Sequence, residues 1–108
     1  MASEYTGNVI LIECKNWTAH LSVKEVAHFA TKLDLHRLKF GILVAANGVT
    51  GNPVELTAAH AMIANLFMTK SVLIVVLTRT EIESLSSSEM FIVMLQDKIS
   101  DVVLRAIS

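Results

Sequence analysis

Several residue types are scarce in this chain of 108 residues, and each scarcity excludes a class of protein. The single cysteine, Cys14, cannot form an internal disulfide, which excludes a disulfide-stapled secreted domain and favours a reducing cytoplasm. One proline and four glycines exclude collagen-like and low-complexity chains. The longest apolar runs, such as residues 71–77, fall far short of the roughly 20 residues that span a bilayer. We therefore expect a cytoplasmic protein without a membrane partner.

An excess of charge of one sign is also missing. Nine Lys and Arg against ten Asp and Glu leave a formal charge of −1, which excludes a protein that coats nucleic acid by bulk electrostatics, although a local basic groove is compatible. An apolar fraction of 53% excludes a disordered chain. The length fits one domain, residues 1–108, and the apolar excess suggests an oligomer or the excised core of a larger protein.

Helix and strand patterns alternate along the chain. They predict strands at 9–14, 39–46 and 71–78, helices at 22–35 and 53–69, and two further helices that begin at capping boxes near Thr80 and Ser86. Strands separated by helices are expected to be parallel and joined by right-handed crossovers, with helices on both faces. The predicted fold class is therefore a three-layer α/β domain with a mostly parallel sheet.

The first strand contains the most informative residues. Both of its faces begin apolar, which predicts a central strand covered on both sides, with Cys14 as a small core residue. Glu13 and Lys15 point to one face because side chains alternate along a strand. A carboxylate and an ammonium at such a position are costly to desolvate unless they hold each other, a metal ion or a ligand. The plain alternative is a salt bridge without chemistry.

Polar residues follow the predicted strands at the sheet edge where ligands bind in open α/β folds. Asn16 and Trp17 follow the first strand, and Asn47 and Thr50 follow the second. The amide and hydroxyl groups can contact DNA phosphates, and Trp17 can stack on a base or wedge into a groove. Their ordinary roles would be turns that satisfy their own backbone and a lid on the core.

The first helix has a basic stripe, because Lys24, His28 and Lys32 follow one another at four-residue steps. Such a stripe can face a phosphate backbone, or it can simply be a solvated helix face. No glycine-rich phosphate loop is present, so no nucleotide cofactor is expected. The histidines lack the spacing of a zinc site.

The segment Glu13-Cys14-Lys15-Asn16-Trp17 is followed by a capped helix and by a strand, residues 41–45, that leads into Asn47-Gly48-Val49-Thr50-Gly51. This arrangement resembles the PD-(D/E)XK, or restriction-endonuclease-like, superfamily, and in particular its Mrr-like branch. The resemblance implies a restriction-endonuclease-like core that hydrolyses DNA with Mg²⁺ or Mn²⁺. It implies that Glu13 is catalytic and binds the metal ion, and that Lys15 assists the attacking water. The candidate DNA-binding residues are Asn16, Trp17, Lys24, Asn47 and Thr50.

One departure from the family pattern concerns the second metal ligand. The family places an Asp on the hairpin strand before Glu13, but no Asp occurs among the twelve residues upstream. Glu4 is the acidic residue available, and a two-residue turn at Gly7-Asn8 would place it on the face of Glu13, whereas a three-residue turn would not. Either the chain is trimmed from a larger nuclease, with N-terminal elements missing or truncated and with weak activity or none, or it is a degenerate, non-catalytic module for dimerisation or DNA docking.

Two helices have more apolar residues than a single stripe requires. The second helix is apolar around nearly its whole circumference, and residues 91–95 of the last helix are apolar in succession. We expect a two-fold homodimer to cover this surplus. The rival explanation is that a missing N-terminal helix packs there.

Overall fold

A computed structural model of the protein describes residues 10–15, 21–45 and 53–107. Three regions named above lie outside the described residues: the N-terminal segment with the Gly7-Asn8 turn, the residues that follow the first strand, and the loop after the second strand. The elements, in chain order, are β1 Leu11–Lys15, α1 Val23–Leu35, β2 Phe40–Ala45, α2 Pro53–Lys70, β3 Leu73–Thr78, α3 Arg79–Glu83 and α4 Ser88–Ile107. The predicted order of strands and helices is confirmed.

The three strands form a parallel sheet in the order β1-β2-β3. Glu13 of β1 pairs with Leu43 of β2, and Ala45 of β2 pairs with Thr78 of β3. Helices α1 and α2 pack on one face of this sheet and α4 packs on the other, so the three-layer α/β fold is confirmed. Among the described residues, no helix is both long enough and apolar enough to cross a membrane.

The face that carries α1 and α2 contains the larger core. Phe29 and Leu33 of α1 and Ile74 of β3 are fully buried in it, together with Leu43. Gly41 of β2 lets α1 approach closely, because a Cβ atom at this position would lie 2.7 Å from Phe29 Cζ. This contact sets the height of α1 above the strands.

The opposite face is covered over only two of the strands. Four side chains of β2 and β3 pack against α4: Ile42, Val44, Val75 and Leu77. On β1, by contrast, Ile12 is 58% exposed and Cys14 is exposed. The prediction that both faces of β1 are buried, with Cys14 in the core, is therefore wrong. Within the described residues β1 is an edge strand, and α4 does not extend across it.

The helix starts show one confirmed cap and two that are displaced. The Ser22 side chain accepts a hydrogen bond from the Glu25 N–H, as predicted for α1. The cap of α3 is Thr78, whose hydroxyl accepts from the Glu81 N–H at 3.1 Å, and not Thr80. At α4 the Ser87 hydroxyl accepts from the Met90 N–H at 3.2 Å, whereas the prediction used Ser86.

The ends of α1 and α2 use the left-handed backbone conformation. Arg37 has φ 56° and Ser71 has φ 55°. After α1, the Leu38 N–H donates to the Leu33 carbonyl at 2.8 Å and the Arg37 N–H donates to Asp34 at 3.0 Å, the bond pair of a Schellman motif. These turns stop each helix and lead directly into the next strand.

Part of the apolar surplus on α2 is buried within the chain itself. Helix α2 contacts α1, β3 and α4, so it packs against two other helices as well as the sheet. Ala59, Ile63 and Leu66 are buried there. Val54 and Met68 stay 76% and 63% exposed. The expectation of a partner therefore depends on a smaller apolar surface than the sequence suggested.

Candidate functional site

Glu13 is held inside β1 and not at its end. It is the third residue of Leu11–Lys15, and its partner Leu43 belongs to the core beneath α1 and α2. Its side chain is 19% exposed, and its Oε2 atom is buried. An ionised carboxylate placed this far from water requires a cation or hydrogen-bond donors close to it.

The described structure supplies such a cation from α1. Lys32 Nζ forms an ion pair and hydrogen bond with Glu13 Oε1, and the two residues are 19 positions apart in sequence. The neighbouring side chains Phe29 and Leu33 fix α1 on the sheet, and Lys32 on the same helix reaches Glu13 of β1. The four-residue spacing predicts Lys32 only as part of the basic stripe and does not indicate its contact with Glu13. No spacing rule connects a strand residue with a helix residue this far along the chain.

The other predicted site residues are only partly described. The backbone of Lys15 ends β1 and pairs with Ala45, while its side chain lies outside the description. Lys24 is exposed on the first turns of α1, two turns from Lys32. The remaining predicted site residues lie outside the described residues: Glu4, Asn16, Trp17, Asn47 and Thr50.

Whether a divalent ion fits beside Glu13 depends on the donor atoms that the described residues provide. In the described ranges, no group of three or more His, Cys, Asp or Glu side chains could hold a metal ion. Glu13 nevertheless fits as one ligand, because Mg²⁺ keeps several waters and is bound through one or two carboxylates plus substrate phosphates. A largely buried carboxylate oxygen is the hard donor that such an ion prefers. Further ligands would have to come from the substrate or from residues outside the described ranges.

A second group of charged residues lies at the other edge of the sheet. Glu81 of α3 accepts hydrogen bonds from the Thr78 N–H at 3.0 Å and the Thr78 hydroxyl at 3.2 Å, and it pairs with Lys98 at 2.6 Å. Burial raises the pKa of Glu81, but the Lys98 hydrogen bond and the Thr78 N–H outweigh it, so the net pKa is lowered. Glu81 is thus held ionised as part of a helix cap.

His60 of α2 lines a cavity of about 270 Å³ beside this pair. Burial is the main reason that the pKa of His60 is lowered, and the positive charges of Arg105 and Lys98 lower it further. The imidazole is therefore neutral near pH 7. It can accept or donate a hydrogen bond in the cavity, but it cannot attract an anion by charge.

The fold and the site together define a class of protein: a three-layer α/β domain with a largely buried carboxylate on the first strand of a parallel sheet. A comparison with models of protein families matches the Mrr catalytic-domain family, described as restriction endonuclease, over residues 2–83. The chain therefore belongs to the Mrr-like branch of the restriction-endonuclease-like proteins, whose nucleases act on DNA and generally depend on divalent metal ions. No curated protein and no solved structure matched the chain.

The family match has a clear position on the fold. It covers β1, β2 and β3 with the three helices α1 to α3, and it ends at the last residue of α3. Glu13, Lys15 and Lys32 lie inside the matched region, whereas α4 lies outside it. The helix that covers the second face of the sheet is therefore supplied by the part of the chain beyond the match.

Proposed function

We propose that this chain is a DNA endonuclease domain that requires Mg²⁺ or Mn²⁺. The observation that supports the proposal is the largely buried carboxylate of Glu13 on β1 in a chain of the Mrr-like family. In this proposal Glu13 binds the metal ion, with Glu4 as a candidate second ligand. A bound ion supplies Lewis acidity at a phosphate and lowers the pKa of a water molecule.

Lys15 would act beside Glu13. Its backbone is two residues further along the same strand. The alternation of side chains along a strand is the sequence-based reason to propose the same face for Glu13 and Lys15. An ammonium there can orient the attacking water or stabilise the negative charge that develops on phosphorus. The proposed DNA contacts are made by Asn16, Trp17, Lys24, Asn47 and Thr50.

The alternative is a degenerate module of the same fold that docks on DNA or dimerises without cutting. Two observations favour it, and the first is that Lys32 engages Glu13 as in an ordinary structural salt bridge. In addition, the described part of the chain offers Glu13 no cluster of further metal-ligating side chains. The two proposals differ in whether catalysis, and not only DNA binding, depends on Glu13 and Lys15.

We also propose that residues 1–108 form one domain, that the protein works in the cytoplasm and that it acts as a homodimer. Support for the dimer comes from α4, on which Val93, Leu104 and Ile107 are 56%, 59% and 75% exposed. We call these three residues the α4 ridge. Val93 and Leu104 are eleven positions apart, close to three helical turns, so they lie on one face.

Plasmid nicking with Mg²⁺ tests the function directly. We expect the parent to nick slowly, and Glu13→Gln and Lys15→Met to lose roughly two orders of magnitude or more in rate, because each removes a charged participant in the reaction. The matched control for loss of one positive charge is Lys70→Met, which removes an exposed lysine at the end of α2. Equal rates for Lys15→Met and the parent would contradict the role of Lys15. DNA binding without any nicking would favour the degenerate module.

A further inference from the structure

Lys32 places a positive charge on the carboxylate that the proposed function assigns to a metal ion. Its Nζ atom pairs with Glu13 Oε1, on a side chain that is 19% exposed. A carboxylate so far removed from water is stabilised in its charged form by a nearby cation. Lys32 provides that cation from within the chain.

An ammonium and a divalent ion at the same carboxylate repel each other. Lys32 is able to leave, because its side chain is 47% exposed and consists of a flexible stem that ends in a strongly hydrated group. Withdrawal of the ammonium into water need not move α1, since Phe29 and Leu33 anchor that helix in the core. The ion pair can therefore be exchanged for a metal ion without a change of fold.

We propose that Lys32 is a tethered competitor for the cation site at Glu13. It neutralises Glu13 in the metal-free protein and is displaced when a divalent ion binds, and this inference rests on the proposed function. The ion pair then lowers the affinity of the site for the metal ion by a certain factor. By linkage, a bound metal ion weakens the Lys32–Glu13 ion pair by the same factor. Partly exposed pairs of this kind correspond to factors of about two to five.

The experiment is a titration with Mn²⁺, followed by the EPR signal of the free ion, at low and at high NaCl. Lys32→Met keeps the stem and removes the charge, so it should bind Mn²⁺ about two- to fivefold more tightly at low salt. The difference from the parent should shrink at high salt, because screening already weakens the ion pair there. Lys32→Arg keeps the charge and should stay close to the parent. A purely structural role for Lys32 predicts no gain in affinity.

Two further variants separate the possible outcomes. Lys70→Met removes an exposed lysine on α2, and Glu13→Gln removes the proposed ligand. If the parent binds Mn²⁺ and Lys32→Met binds no more tightly, or if Lys70→Met tightens binding equally, the inference is overturned while the metal-dependent function stands. If only Lys32→Met binds in the absence of DNA, the inference stands, and plasmid nicking by the parent decides the metal-dependent function separately. If neither protein binds, or if binding survives Glu13→Gln, the inference is overturned, and plasmid nicking with Mg²⁺ again decides the function.

Discussion

Gly41 of β2 lies directly beneath the ring of Phe29 on α1. A Cβ atom built on Gly41 would be 2.7 Å from Phe29 Cε2 and Cζ and 2.9 Å from Leu33 Cδ2. Both side chains are fully buried, so neither can move aside freely. The absence of a side chain at this position therefore determines how closely α1 approaches the sheet, and with it where the other residues of that helix stand above β1.

Gly41→Ala should lower the free energy of unfolding by about 1 to 3 kcal/mol, because the added methyl group overpacks a filled core. Urea denaturation followed by circular dichroism measures the loss. The double variant Gly41→Ala with Phe29→Leu is the control, since it makes room for the methyl group. It should lose less than the sum of the two single changes. If the losses of unfolding free energy were strictly additive, the Phe29 ring would not be what excludes a side chain at position 41.

Thr78 joins β3 to α3 and caps that helix. Its hydroxyl accepts the Glu81 N–H, while the Glu81 carboxylate accepts the Thr78 N–H in return. Thr78→Ala should cost about 1 kcal/mol of unfolding free energy through loss of this cap. Thr78→Ser keeps the hydroxyl and should cost clearly less. Thr80 lies inside the helix, so an equal loss in Thr80→Ala would contradict the assignment of the cap.

His60 should make the stability of the protein depend on pH. Its pKa lies below 6.5 in the folded state, so the unfolded chain takes up the proton first as the pH falls. The contribution of His60 to the free energy of unfolding is therefore complete above pH 6.5. It is lost as the pH falls from 6.5 towards the lowered pKa of the folded state. The charged groups around this imidazole in the cavity are Glu81 of α3 and Lys98, Asp101 and Arg105 of α4.

His60→Gln should therefore reduce the difference in unfolding free energy between about pH 7.5 and about pH 5.5. Denaturation curves at the two pH values measure it. His28→Gln makes the same substitution at an exposed histidine of α1 and is measured in parallel as the matched control. A parent whose stability is the same at both pH values would refute the role of His60.

The proposed homodimer is best tested on the α4 ridge. Phe91 packs on the sheet and Met62 packs on the core, so charged substitutions at those two positions would disturb the fold itself. Leu104→Glu places a charge on the 59% exposed ridge and should shift a dimer towards monomer in sedimentation runs over a range of concentrations. Asp97→Glu, an exposed conservative change on the same helix, should leave the equilibrium unchanged. A parent that is monomeric throughout would end the dimer hypothesis.

Most of the fold was predictable because the strands are short, nearly pure runs of Val, Ile and Leu separated by long helical patterns. Residues 73–78 illustrate this, since a strand with apolar residues on both faces is typical of a parallel sheet. The exact caps were less predictable. The sequence around Thr78 and Thr80 offers two overlapping capping boxes, and Thr78 is used because it ends β3 in extended conformation with φ −96°.

The candidate site was predictable only as far as β1 itself. A glutamate within an apolar strand is visible in the sequence, and alternation correctly separates Glu13 from Cys14. The partner Lys32 was not predictable, because it depends on the height and angle of α1, which the contact of Phe29 with Gly41 sets. The exposure of Cys14 was also hidden, since it depends on how far α4 extends across the sheet.

The exposed thiol of Cys14 has a practical consequence. It is the chain's single cysteine, and it sits next to Glu13 in sequence but on the other face of the strand. A maleimide or nitroxide label should therefore attach at one defined position without covering the carboxylate. Such a probe would detect a paramagnetic ion bound at Glu13, on the opposite face of the same strand. The label would need no engineered cysteine.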